Sequence, residues 1–380
     1  MITARFVVLD GWRGICAMFV AMVHIDVLGH FFYWPIIRNG HFFVDFFFVL
    51  SGFVVTHAYG HRLTDARATG RYVVRRIGRL WPLHAAVLVA FVAAEFGLAL
   101  LGRMGIQLSN KPLFSGPTSI EAIGTNLLLI QALGMHPWPT WNAPSWSISV
   151  ELYVNILFGF MVPVLRSWLT IIAVCVLIAS GALLWVFSPQ YIKVVTGLAF
   201  FRCLFGFLAG YVAYRCWQAT SNRSLPYPAL VETVTVLIVA FFISFAGTGP
   251  YSLLAPLIFL GAVYVYAFEA GPISKILTIK AVERVGQWSY SIYMVHTFVA
   301  LALIAVIKVF MVLLRINLLA DARVGEQTQK VISFAGPFAM DCLAVIYLGL
   351  VVGVAAATFR FIEVPGRSYF NALSNSYRDR

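Results

Sequence analysis

Residues Trp168–Phe187 read WLTIIAVCVLIASGALLWVF, twenty positions without a charged side chain. A helix rises about 1.5 Å per residue, so this stretch reaches ~30 Å, the thickness of a bilayer's hydrocarbon core. Its apolar residues are continuous rather than alternating, which excludes a strand of a membrane β-barrel. Further runs lie on both sides, near 7–29, 41–60, 80–102, 146–165, 195–217, 229–246, 251–269, 286–312 and 335–360. An eleventh, 122–134, is short and contains Gly124, Asn126 and Gln131, which suits a re-entrant or interfacial segment. The fold class is therefore expected to be all-α: a polytopic membrane protein of about ten spanning helices plus that short segment.

The rest of the chain agrees. Of 380 residues, 61% are hydrophobic and only 11% charged, with a mean hydropathy of +0.87. So few charges cannot solvate a soluble surface of this size, and a soluble enzyme, a disordered chain and a collagen-like fibre are excluded. No long polar stretch leaves room for a second soluble domain, so residues 1–380 read as one membrane domain whose constant partner is the lipid bilayer. The net charge of +12 would suggest nucleic acid in a soluble protein. Here cytoplasmic loops account for it, and no nucleic-acid partner is expected. Cys16, Cys175, Cys203, Cys216 and Cys342 form no CxxC pair and read as small core hydrophobes, with neither a disulfide framework nor a metal site. No cleavable signal is expected, because the first apolar run already holds Asp10, Arg13 and His24.

Loop charges arbitrate the topology. With the N-terminus inside and 122–134 not spanning, 17 Lys and Arg fall on inner loops and ends against 7 on outer ones. If 122–134 spans, the score becomes 11 against 13. Only the first arrangement obeys the positive-inside rule, so both termini are expected in the cytoplasm.

Ionisable groups at membrane depth are costly and mark function by default. Arg13 and His24 stand eleven residues apart, close to three turns, on one face and ~16 Å apart along the axis. Asp10 can pair with Arg13 at i,i+3. Asp45 lies near the outer end of the second run, with Ser51-Gly52 halfway along it, and Glu151 lies about one turn into PSWSISVELY. Ser289, Tyr293 and His296 share a polar face. Arg75, Arg76 and Arg79 open the third run, and Glu363 closes the last. Each has a plainer reading: topogenic arginines, a satisfied core histidine at 24 or 296, a buried structural Asp10–Arg13 pair. An inner basic layer below a deeper His and carboxylates suits a reaction drawing on a cytoplasmic anionic substrate.

Six motifs in order carry a resemblance. LDGWRGICAMFVAMVH (Leu9–His24), FFVDFFFVLSGFVVT (Phe42–Thr56), RRIGRLWP (Arg75–Pro82), SWSISVELY (Ser145–Tyr153), GQWSYSIYMVH (Gly286–His296) and FIEVP (Phe361–Pro365) together resemble the integral-membrane acyltransferase family 3. Trp12 and Trp81 are mild departures from its pattern. The resemblance implies an enzyme of the bacterial inner membrane that moves an acyl group, by default acetyl from acetyl-CoA, to a hydroxyl of a saccharide or glycoconjugate. It also implies that Arg13 and His24 are the central pair. The chain is expected to be of the stand-alone type, without the extracytoplasmic esterase-like domain of some members.

On that footing His24 is either general base or covalent acyl carrier. Asp45 or Glu151 would orient its imidazole. Arg75, Arg76 and Arg79 would bind the donor's phosphates, and Arg13 a phosphate or the developing oxyanion. Ser51, Tyr293 and His296 are candidate acceptor contacts, and Asp10 and Glu363 secondary ones. The competing class is a secondary transporter or flippase of a sugar or lipid-linked substrate, which shares the intramembrane charges. It should show inverted repeats, and none is seen in the sequence. Acceptor, acyl chain and oligomeric state stay open at this point.

Overall fold

A computed structural model describes residues 5–105, 112–324 and 327–376. Lys111, Arg378 and Arg380, which belong to the loop and terminal charges counted from the sequence, lie outside the described residues. The principal helices are α1 (Val7–Val23), α2 (Phe43–Tyr59), α3 (Ala66–Arg103), α4 (Trp146–Leu165), α5 (Leu169–Phe187), α6 (Ala199–Thr220), α7 (Pro228–Phe245), α8 (Ala255–Tyr266), α9 (Lys280–Leu314), α10 (Pro337–Thr358) and α11 (Val364–Ser376). Among the described residues, six helical stretches are long and apolar enough to cross a membrane: Gly40–Tyr59, Ala66–Arg103, Ala143–Phe187, Pro228–Phe245, Lys280–Leu314 and Pro337–Ser376. The protein is thus an all-α membrane protein in its main architecture. Three expected runs fall outside this set for visible reasons. α1 is 17 residues long and carries Asp10 and Arg13, α6 carries Arg202 and Arg215, and α8 has only 12 residues.

Two elements differ from the expectation. α3 begins fourteen residues before the apolar run at Leu80 and extends for 38 residues, roughly 57 Å at 1.5 Å per residue. Asp65 starts it, its carboxylate accepting the N–H of Ala68 at 2.8 Å. That bond, with a second from Thr64, holds the Asp65 carboxyl below its ordinary range. Arg75, Arg76 and Arg79 therefore sit on a rigid helix and not on a loop. The second difference is a hairpin in the loop before α10. β1 (Leu319–Val324) pairs antiparallel with β2 (Gln327–Ile332), Leu319 facing Ile332.

The segment 122–134 holds only a seven-residue helix, Glu121–Leu127, and a short turn at Gln131–Met135. Seven residues rise ~10 Å, too little to cross a bilayer. The segment is docked on α3: Trp81 Nε1 donates to Leu127 O at 2.8 Å, and the His84 ring bonds Asn126 O at 2.9 Å.

α1 packs on α9, and α2 on α6. Both crossings are close because small residues remove side-chain bulk. A Cβ on Gly14 would lie 2.6 Å from Gly286 N, and one on Gly286 would strike Asp10 O. On the other crossing, Gly52 faces Phe207 O and Gly210 faces Val49 O, both too close for any side chain. These crossings fix the rotation of α1, α2 and α9, and so decide which side chains meet between them. α11 folds back onto α3.

Candidate active site

Between α1, α2, α3, α4 and α9 lies a cavity whose empty volume, open solvent at its mouth included, is about 770 Å³. Seven residues singled out from the sequence line it: Arg13, Ser51, Arg76, Arg79, Glu151, Ser289 and Tyr293. α2 contributes one stripe, Val44, Phe47, Phe48, Ser51, Val54 and Val55, at helical spacing. Its eleven-residue span corresponds to a long dimension of ~16 Å. One end is basic, at Arg13, Arg76 and Arg79, and the other is apolar and aromatic.

Each arginine is differently engaged. Arg13 Nη2 pairs with Asp10 Oδ1 at 2.9 Å, and Nε donates to Ser289 Oγ at 2.7 Å. Arg79 pairs with Glu363, whose other oxygen accepts from Ser291 Oγ at 2.8 Å. The Arg79 guanidinium also lies over the Tyr290 ring, 5.3 Å from its centroid. Arg76 lies against the rings of Tyr59 and Tyr72, at 5.4 and 5.5 Å. Its buried Nε has no hydrogen-bond partner among the described residues. Arg76 is thus the cation of this cavity still equipped to take an anion. Arg75 points elsewhere, because adjacent helical residues differ by about 100°. It donates to Ser374 Oγ at 2.9 Å and Asn375 Oδ1 at 2.8 Å, joining α3 to α11.

Glu151 is the carboxylate that lines the cavity, and its Oε1 accepts the Ser51 hydroxyl at 2.8 Å. Asp45, expected beside it, is held by a partner that the sequence reading missed. Arg202 of α6 donates Nε to Oδ1 at 2.9 Å and Nη2 to Oδ2 at 2.7 Å. The pair is 1% and 0% exposed, with the guanidinium 5.0 Å from the Trp146 ring centroid. Asp45 does not line the cavity, and its two oxygens are engaged by Arg202 rather than by an imidazole. The missed signal was a lone Arg inside AFFRCLFGFLAG (Ala199–Gly210), a charge at membrane depth that demands an opposite one.

His24 caps the end of α1, outside the set of residues that line the cavity. Its ring packs edge to face on His296, at 4.8 Å between centroids, and His296 in turn packs on Tyr293 at 5.8 Å. Tyr293 returns to the cavity wall, its hydroxyl bonded to Ser147 Oγ at 2.7 Å and donating to Pro144 O at 2.9 Å. A continuous file of rings therefore runs from the apolar end of the cavity to His24. Asp10 and Glu363 stand behind the cavity as partners of Arg13 and Arg79. Among the described residues no three of His, Cys, Asp and Glu gather as a metal site.

Such a cavity can hold an anionic head at its basic end and an apolar tail along α2, with imidazoles beyond. The family described as an acyltransferase domain matches residues 6–360. Acyltransferase MdmB of Streptomyces mycarofaciens is 24% identical over 348 residues, 86% of this chain and 79% of that one. Protein 2 in picA locus of Rhizobium radiobacter is 32% identical over 160 residues, 41% of this chain and 81% of that one. No solved structure matches.

Proposed function

From the premise that the chain belongs to acyltransferase family 3, we propose that it is a membrane O-acyltransferase that takes an acyl group, acetyl first, from cytoplasmic acyl-CoA to a saccharide hydroxyl. The observation that carries this reading is the single cavity joining Arg13, Arg76 and Arg79 at one end to a ring file leading to His24 at the other. In this reading α1 to α10 each cross the inner membrane, both termini are cytoplasmic, and the basic end of the cavity opens to the cytoplasm, in keeping with the positive-inside count.

Each group then has a task. Arg76 takes a donor phosphate, since a guanidinium fork matches phosphate oxygens and its buried Nε has no hydrogen-bond partner among the described residues. Arg79 and Arg13, each paired with a carboxylate, offer their remaining N–H groups to orient the arm of the donor. The pantetheine lies along the α2 stripe past Ser51 and Glu151, which brings the thioester toward Tyr293 and the histidines. A hydroxyl is a poor nucleophile, and His24 activates the transfer as base or as acyl carrier. Glu151, rather than Asp45, is the carboxylate placed to balance positive charge along that path. The acceptor reaches the histidines from the far end.

Purified protein incubated with radiolabelled acetyl-CoA tests the reading. Thiol release with label moving to an acceptor, to water or to the protein is the expected result. No consumption of acetyl-CoA, together with movement of a saccharide across a vesicle membrane, would favour the transporter instead.

A further inference from the structure

The reading above leaves His296 without a task, and the geometry around it is specific. The His24 and His296 rings meet at 62° with centroids 4.8 Å apart. Each Nδ1 faces a carbonyl one turn back: His24 bonds Val20 O at 2.8 Å, and His296 bonds Ile292 O at 3.3 Å. A carbonyl only accepts, so each neutral ring carries its proton on Nδ1 and keeps a lone pair on Nε2. His296 is fully buried, and its Nε2 has no partner among the described residues. Packing alone gives no reason to bury a lone pair facing no donor.

The pair is also clamped. The Tyr347 hydroxyl on α10 bonds Ala21 O at 3.2 Å and His296 O at 3.1 Å, tying α1 to α9 at this level. Asn142 donates to Met294 O at 3.0 Å and accepts from Thr297 Oγ1 at 2.6 Å, gripping α9 on both sides of His296. Two imidazoles with fixed tautomers and fixed spacing form a preorganised two-base unit.

We propose that the two histidines divide the transfer: His24 Nε2 carries the acyl group, and His296 Nε2 takes the proton of the acceptor hydroxyl. The proposal rests on the acyl-CoA reading. In the first step His24 Nε2 attacks the thioester carbon, the C–S bond breaks, and its electron pair leaves as CoA thiolate. The acylated ring keeps its Nδ1 proton against Val20 O and is cationic, hence a reactive donor. In the second step the acceptor oxygen attacks the acyl carbon, the C–N bond breaks, and its electron pair returns to His24 Nε2. The departed thiolate takes a proton from water, and the hydroxyl proton passes to His296 Nε2 and then back to water, so the protons balance and both rings end neutral.

The test uses the full chain, acetyl-CoA, and water plus octyl glucoside as hydroxyl probes, with thiol release followed from the first turnover. His296→Gln is expected to bind acetyl-CoA as the parent does and to release one thiol per protein molecule. It then turns over some 10²–10⁴-fold more slowly, the usual contribution of a positioned base. His296→Gly regaining turnover with added imidazole is the same result by a second variant, should the Gln variant not fold. A steady rate within about threefold of the parent, where loss of a positioned base costs at least ~10²-fold, overturns the proposal. So does the lack of a stoichiometric first release, or loss of acetyl-CoA affinity along with turnover, which marks a structural role. A parent that neither binds nor cleaves acetyl-CoA removes the acyl-CoA reading itself, a failure distinct from these.

Discussion

Arg75 and Arg76 are neighbours in sequence, and the structure gives them opposite fates. Arg76→Ala removes the cavity cation whose Nε is buried without a partner. A hydrogen bond to a charged group is worth about 1.5–3 kcal/mol, which corresponds to ~10–150-fold in the dissociation constant. Arg75→Ala removes two bonds to Ser374 and Asn375 outside the cavity. It should leave donor affinity within about threefold and cost at most ~1 kcal/mol of stability, as exposed polar contacts do. The assay is equilibrium binding of CoA to each purified variant across a salt series. Parent affinity should fall with added salt, and the Arg76→Ala curve should be shallower, because one screened contact is gone. Equal losses in the two variants, or no loss in Arg76→Ala, would refute the assignment and return both residues to the role of topogenic charges.

Other outcomes follow from the same contacts. Arg202→Ala strands the buried Asp45 carboxylate and should lower stability by ~3–5 kcal/mol, whereas the double change Asp45→Asn with Arg202→Gln recovers part of it; thermal unfolding in detergent reads both. Gly210→Ala places a methyl against Val49 O and should cost ~1–3 kcal/mol or more by forcing α2 from α6, seen in the same melt. Glu151→Gln removes negative charge from the basic cavity. CoA affinity should rise while acyl transfer falls, and a parallel drop in both would contradict the role given to Glu151.

How far the sequence reached is visible in these residues. The charge-free run at Trp168–Phe187 and its companions announced helices directly, since lipid physics leaves little alternative. Arg13, Ser51, Glu151 and Tyr293 stood out as polar groups within apolar runs, and the four line one cavity. Legibility ended where helix rotation is set by tertiary packing. Nothing local distinguishes Arg75 from Arg76 until α11 folds back to take one of them. Asp45 looked available because its partner, Arg202, lies 157 residues away on another helix. Nothing near Gly52 or Gly210 in the sequence names the helix that each lets approach. In the hairpin at 319–332, β1 carries a single β-branched residue to mark it as a strand, and in the extension of α3 the helically spaced Val73, Ile77 and Leu80 are interrupted by arginines.

The central claim is that His24 activates acyl transfer at the far end of an arginine-lined donor cavity. It is tested most directly by measuring acetyl-CoA consumption and acetyl transfer by purified parent and His24→Ala protein, with CoA binding measured alongside. The account predicts that the parent transfers, and that the variant binds CoA with unchanged affinity yet transfers nothing above background. Normal transfer by His24→Ala would contradict it.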